Sequence, residues 1–162
     1  MRPASTRGST QTLGVRKTSV PKLAVAVEFL ETAATLWVHK TNLFSAMHLA
    51  AAAEELSGKA CRIDLMKAHY DQLRERVVRA LSSMRIEFTE SQLKDAIYGP
   101  KNSIKHMDSR NDAEVSLDPE SETAHFIVAA HHNFATLGLS ESLSSNVRAV
   151  VEANALHVQT DA

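Results

Sequence analysis

Residues 43–60, LFSAMHLAAAAEELSGKA, determine the fold class of this chain. Apolar side chains recur in it at three- and four-residue intervals, as in Leu43, Met47 and Ala50, which is the period of one face of an α-helix. The run of alanines presents small side chains that let another backbone approach closely. We therefore expect a central helix here, preceded by capping side chains within residues 39–42.

The same helical period extends from this run in both directions. We expect five further helices: Pro21 to Val38, about Ile63 to Ile86, Thr89 to a stop at Gly99, one opened by Asp118-Pro119-Glu120, and a last one from Ser140. Thr89 and Gln92 have the spacing of a capping box. Glycine commonly terminates a helix, and Pro100 can open a new helical turn. Period-two alternation occurs only around residues 115–117, within a polar surface loop. The sequence thus predicts an all-α antiparallel bundle of about five to six helices.

Length and composition favour one helical domain. The chain has 162 residues, 44% hydrophobic residues and a formal net charge of −1 at pH 7. A chain of this size suits one core, and its charge gives no overall positive field, so nucleic-acid contact would need a local patch. We assign residues 21–153 to the bundle, 1–20 to a flexible basic tail and 154–162 to a polar C-terminal tail. The basic tail is either a contact for RNA, DNA or acidic partners or a solvated leader.

Location follows from what the sequence lacks. It shows no signal-peptide core and no apolar run of membrane-spanning length, and its single cysteine, Cys61, cannot form an intramolecular disulfide. We expect a cytoplasmic protein with no membrane association.

Three kinds of cofactor or covalent chemistry are disfavoured. Glu122 and His125 have the spacing that can present two metal ligands on one helical face, but no second Glu-x-x-His pair and no His-Glu-x-x-His motif occurs. His131 and His132 are adjacent and point in different directions on a helix. Cys61 lacks a recognisable base and reads as a structural thiol. No glycine-rich phosphate loop is present. We predict no metal and no cofactor.

Two polar stretches carry the remaining chemistry. In the first, Glu55 and Lys59 are one helical turn apart in the favourable order for an ion pair. In the second, Lys101-Asn102-Ser103-Ile104-Lys105-His106, an imidazole lies one turn from an amide, with Lys101 and Lys105 on an adjacent face. Histidine can transfer a proton at neutral pH, and lysines can hold a phosphate. The second stretch is either an RNA-cleaving set or an ordinary lysine-rich helix surface.

Together these stretches resemble the signature of the HEPN superfamily. That signature couples a Glu-x-x-x-Lys stretch, here 55–59, to a later stretch of Arg, a polar residue, three variable positions and His, here 101–106 with Lys101 in place of Arg. Residues 45–55, the Asn-Ser-Ile-Lys-His segment and 126–137 also look like a group of bacterial all-helical proteins of similar length.

The resemblance implies a homodimer in which two copies of the later motif face each other across a cleft. In active members such a cleft cuts RNA without a metal, in toxins or phage-defence effectors. Carried over, His106 would transfer the proton, Asn102 would orient the reacting groups, and Lys101 would stand in for the phosphate-binding Arg of this catalytic set. Lys105, at a variable position of the motif, is a further candidate for phosphate binding. Glu55 and Lys59 would support them. An antitoxin or a neighbouring protein is an implied partner. The alternative is a non-catalytic dimeric interaction or scaffold protein.

Overall fold

The computed structural model describes residues 19–103 and 114–160, and both ranges consist mainly of helix. They contain six α-helices and a short 3-10 helix: α1 (Lys22–Val38), α2 (Leu43–Ile63), α3 (His69–Ser83), α4 (Glu90–Ser103), α5 (Pro119–Thr136), the 3-10 turn (Ser140–Ser142) and α6 (Ser145–Thr160). No strand occurs in either range, so the all-helical prediction is confirmed. The predicted flexible tail lies, up to residue 18, outside the described residues.

Helix α2 is central, as its alanine-rich sequence predicts. It packs most extensively against α5 and α1, and these helices enclose the core together with α6. The α2 face toward the core includes Ala50, Ala53 and Met47, all fully buried. Phe126 and Phe134 on α5 are buried in the same core cluster. Burial of such apolar side chains is the main stabilising contribution to the bundle.

The helix that the sequence predicts from about Ile63 to Ile86 is interrupted at residues 64–68. Helix α2 includes Ile63, and α3 begins only at His69, so the predicted helix start at Ile63 is wrong. Leu65 adopts a left-handed conformation with φ of 59°. The amide of Met66 donates to the carbonyl oxygen of Cys61 at 2.8 Å, which closes the end of α2 as in a Schellman motif.

Helix α4 begins as predicted but does not stop where predicted. The Gln92 amide donates to Thr89 Oγ1 at 3.2 Å and the Thr89 amide to Gln92 Oε1 at 2.8 Å, which confirms the capping box. The expected stop at Gly99 and restart at Pro100 are wrong, because α4 continues through both to Ser103. Proline has a helix-compatible φ and costs the helix one backbone hydrogen bond, which here does not end it.

Two other helix starts test the capping predictions. Asp118 Oδ1 accepts a hydrogen bond from the Glu120 amide at 3.0 Å, so the predicted start of α5 is confirmed. Asn42 precedes α2 with φ of 49° and caps it with no side-chain hydrogen bond. The prediction that a polar side chain of residues 39–42 caps α2 is therefore not met at the N-cap position.

The last helix begins later than the sequence suggests. Gly138, with φ of 73°, ends the preceding turn, and Ser140 opens a 3-10 turn before α6 begins at Ser145. Residues 154–160, assigned from sequence to the polar tail, belong to α6. None of the helices in the described ranges combines the length and apolarity that a membrane span requires.

Candidate functional site

The first predicted stretch lies on α2 and contains one buried and one exposed carboxylate. Glu55 Oε1 accepts a hydrogen bond from Lys59 Nζ at 2.7 Å, as the spacing predicts, and both side chains are well exposed. Exposed ion pairs of this kind contribute little to stability. Glu54 is only 3% exposed. Its carboxylate lies along α2 toward Gly58, since a Cβ built on Gly58 would lie 3.3 Å from Glu54 Oε1.

The second predicted stretch is only partly within the described residues. Asn102 is exposed on the last turn of α4. Lys101 belongs to the same helix, but its side chain lies outside the described part of the chain. Lys105 and His106 lie outside the described residues altogether. Asn102 is therefore the residue of the second stretch whose position relative to Glu55 and Lys59 the structure describes.

Asn102 and Glu55 line the same hollow. This hollow, of about 310 Å³, lies between the C-terminal half of α2 and α4, and we call it the motif hollow. It is lined by Glu54, Glu55, Arg62, Lys94, Tyr98 and Asn102. Lys59 is not among its lining residues. The motif hollow thus brings together one residue from each predicted stretch, Glu55 and Asn102. Two cations and an aromatic ring line it beside them.

Arg62 is held in place by α3. Its Nε donates to Asp71 Oδ2 at 2.9 Å and its Nη2 to Asp71 Oδ1 at 3.0 Å, a two-pronged pair between planar groups. The hydrogen bonds to Asp71 raise the pKa of Arg62 above its already high value. The guanidinium is therefore a permanent cation at the edge of the motif hollow.

Tyr98 supplies the aromatic surface. Burial, followed by the charge of Glu54, raises the pKa of the Tyr98 phenol, so it remains protonated at neutral pH. Its ring lies edge-on to that of Tyr70, with centroids 5.3 Å apart and an interplanar angle of 65°. A guanidinium, an ammonium and a phenol ring form a combination that can bind a phosphate and stack on a nucleobase.

Sequence reasoning missed Arg62, Lys94 and Tyr98 as site residues. Lys94, Tyr98 and Asn102 follow one another at four-residue intervals and so lie along one face of α4. The expected stop at Gly99 hid that continuity. Arg62 follows Lys59 by three residues and thus extends the Glu55-Lys59 face of α2. Helical spacing alone would have indicated all three.

The environments of Cys61 and of the possible metal ligands bear on the thiol and metal chemistry that the sequence disfavours. Cys61 is fully buried, its Sγ donates to the Asn133 carbonyl oxygen at 3.5 Å, and burial raises the pKa of its thiol. It is a structural thiol. Among residues 19–103 and 114–160, no three His, Cys, Asp or Glu side chains are grouped so as to hold a metal ion. Glu122 and His125 form no such site.

Three histidines gather instead where α3 begins against α5. The rings of His69 and His132 stack with centroids 4.9 Å apart, and those of His131 and His132 lie at 77° to each other. Burial, helped by the charges of His132 and Arg76, lowers the pKa of His69 to about 4. His69 is therefore neutral at physiological pH, and this cluster lies outside the motif hollow.

Comparison with known proteins adds no assignment to this geometry. No known protein family, curated protein or solved structure matches the chain.

Proposed function

We propose that this chain is a HEPN-like protein that dimerises and binds RNA or a nucleotide at the motif hollow. The observation that carries the proposal is that Glu55 and Asn102, one from each motif, line one hollow with Arg62 and Lys94. The two motifs are far apart in the sequence, so their meeting depends on the packing of α4 over α2. The cations Arg62 and Lys94 and the ring of Tyr98 at that meeting point suit a phosphate-bearing ligand.

In this proposal the side chains divide the work. Arg62 and Lys94 bind phosphate, together with Lys101 and Lys105 from the second motif. Tyr98 stacks on a base, and Asn102 orients the reacting groups. His106 transfers the proton in a weak, metal-independent endoribonuclease reaction, while Glu55 and Lys59 support the site. The chemistry needs only an acid-base group and fixed positive charge.

Catalysis is tested with mixed RNA in excess chelator. We expect the wild type to cut RNA at least about a hundredfold faster than His106→Ala, which is the usual effect of removing an acid-base residue. His48→Ala is the matched control, because His48 is an exposed histidine on α2. Equal cleavage by the wild type and His106→Ala would remove the nuclease part of the proposal.

Binding is tested separately from cleavage. Lys94→Ala should weaken binding of single-stranded RNA by about three- to tenfold and reduce the salt dependence of the affinity by about one counterion. Lys22→Ala on α1 is the control, since it removes an exposed lysine elsewhere on the bundle. If RNA binding is absent, or if both variants bind with the wild-type salt dependence, the motif hollow is not the binding site.

A second candidate function, a non-catalytic dimeric scaffold, is favoured by one observation. Two large apolar side chains are exposed close together in the sequence at the end of α2, Ile63 at 79% and Leu65 at 96%. Under this alternative Ile63→Ser should turn a dimer into a monomer of 17.7 kDa in light scattering, with RNA binding absent in both proteins. Phe44→Ser, at the opposite end of α2, is the control. A wild-type monomer would exclude the dimer in either proposal.

A further inference from the structure

A second concavity, larger than the motif hollow, lies where α3, α4, α5 and α6 meet. Its volume is about 470 Å³, within the range of small-molecule sites. Three helices supply its apolar walls: Leu73 and Val77 from α3, Leu93 from α4 and Val128 from α5. Leu93 is almost fully buried, with 4% of its surface exposed. We call this space the base cavity. Its apolar walls suit an aromatic ligand.

The polar side chains of the base cavity have hydrogen-bonding capacity left over. Glu122, on the first turn of α5, is half-buried, and it forms no ion pair or side-chain hydrogen bond with any residue of the described ranges. Asn154, on α6, is half-buried in the same wall and is likewise without a described side-chain partner. Neither side chain has a polar atom that is both fully buried and unsatisfied, so both remain accessible to a ligand, and the carboxylate can only accept from one that brings hydrogen-bond donors.

The base cavity and the motif hollow both border a third space beside α4. This space, of about 470 Å³, shares Tyr70 and Leu93 with the base cavity, and it shares Lys94 and Tyr98 with the motif hollow. Leu93, which lines the base cavity, and Lys94, which lines the motif hollow, are neighbours on α4. Tyr70 and Tyr98, whose rings form an edge-on pair, likewise line one of the two spaces each.

We propose that the base cavity binds a guanine base, with its N1–H and N2–H₂ donors on the Glu122 carboxylate. This proposal rests on the RNA- or nucleotide-binding function proposed above and adds the identity of the base. A carboxylate only accepts hydrogen bonds, and guanine presents two adjacent donors on its Watson–Crick edge. The Asn154 amide can donate to O6. Adenine places an acceptor, N1, beside its amino group, so it meets the carboxylate with only one donor.

Nucleosides test the base cavity without any phosphate contact. In titrations followed by saturation-transfer NMR at pH 7, guanosine should bind at least about tenfold more tightly than adenosine, with inosine between them because it lacks N2. Glu122→Gln keeps the shape of the side chain but replaces one acceptor by a donor, so it should weaken guanosine binding at least about tenfold. Glu28→Gln, an exposed acid on α1, makes the same charge change elsewhere and should bind guanosine like the wild type.

A second variant keeps the test valid if Glu122→Gln misfolds. Ala96 lines the base cavity and is exposed, so Ala96→Trp fills the space without a change of charge and should abolish guanosine binding. Equal affinity for guanosine and adenosine, or unchanged guanosine binding in both variants, would overturn the proposal.

The two proposals fail in different ways. If no nucleoside binds while RNA binding depends on Lys94, the base cavity is wrong and the function proposed for the motif hollow stands. If guanosine binding depends on Glu122 but RNA shows no Lys94-dependent binding, the base cavity stands as a guanine site and the motif hollow is wrong.

Discussion

Residues 64–68 and residues 99–100 behave in opposite ways. The first segment ends α2 and separates it from α3, although it contains neither glycine nor proline. The second segment is Gly99-Pro100, the strongest helix-breaking pair in the sequence, and α4 runs through it. The difference teaches that a helix ends where its freed backbone groups find other partners, and breaker residues alone do not ensure an end.

The 64–68 segment has such partners. The Leu65 and Met66 amides donate back to carbonyl oxygens of the last turn of α2, at 3.2 and 2.8 Å. On the other side, the Ala68 amide donates to Asp71 Oδ2 at 3.2 Å and the His69 amide to Asn133 Oδ1 at 2.7 Å. The partner on α5, Asn133, is distant in the sequence. At Gly99, by contrast, a Cβ would meet no described atom within 4 Å beyond its chain neighbours and the backbone of its own helix.

We expect the largest loss of stability from removing Asn133, whose side chain accepts a hydrogen bond from the His69 amide just after residues 64–68. Asn133 is fully buried, and its Nδ2 also donates to Ser57 Oγ at 3.3 Å. Asn133→Ala leaves the His69 amide and Ser57 without that partner, so the free energy of unfolding should fall by about 2–4 kcal/mol. Urea denaturation measures this loss.

Asn146→Ala provides the matched control, since Asn146 donates an exposed hydrogen bond to Thr35 Oγ1 at 3.1 Å. Its loss should cost only about 0.5–1 kcal/mol. Equal effects of the two substitutions would mean that Asn133 does not anchor the break.

The next largest effect is a pH dependence of the stability caused by His69, the first residue of α3. His69 is neutral in the folded state down to about pH 4, but it titrates near 6.5 when unfolded. Between these values the unfolded chain binds a proton that the folded chain excludes, so stability falls as the pH drops from 6.5 toward 4. Burial also lowers the pKa of His131, which adds to the same trend.

We expect the His69 contribution to be about 1–1.5 kcal/mol between pH 7 and 5, which is less than the full linkage value because the imidazole is partly exposed to solvent. His69 faces the ring of His132 on α5, feels Arg76 on its own helix, and lines the base cavity with Glu122 and His125. His69→Gln should flatten the pH dependence of unfolding relative to the exposed control His39→Gln. An unchanged slope in His69→Gln would contradict the burial of a neutral imidazole there.

The fold was largely predictable because it rests on periodicity and local capping. The apolar stripe of residues 43–60 gives a central helix, and Thr89, Gln92 and Asp118 give two helix starts with their hydrogen bonds. The break at 64–68 was not predictable, because its signal is an acceptor on Asn133, far along the chain. The left-handed conformation of Leu65 could not be predicted either, because leucine, unlike glycine or asparagine, shows no preference for it.

The sequence predicted some of the residues of the candidate site and missed others. Glu55 and Asn102 do line one hollow, and Lys59 lies outside it. Arg62 follows Lys59 on α2 by three residues, and Asp71 on α3 holds its guanidinium. Lys94 and Tyr98 share a face with Asn102 because α4 does not stop at Gly99. The error at Gly99 therefore hid only the link between Asn102 and the first part of that face.

The smallest effects come from exchanging the breaker residues themselves. Leu65 is 96% exposed with φ of 59°, so Leu65→Gly relieves a disfavoured left-handed conformation and loses no packing. The greater entropy of glycine in the unfolded chain offsets part of the gain. We expect a net stabilisation of about 0.5 kcal/mol, measured by urea denaturation.

Gly99→Ala should change the free energy of unfolding by less than about 0.5 kcal/mol. Alanine is the better residue inside a helix, but a following proline disfavours the helical conformation of a residue that has a Cβ, and the two effects oppose each other. If α4 ended at Gly99 with that glycine left-handed, alanine would instead destabilise the protein by about 1 kcal/mol or more. A loss of that size in urea denaturation would therefore mean that Lys94, Tyr98 and Asn102 do not share one continuous helical face.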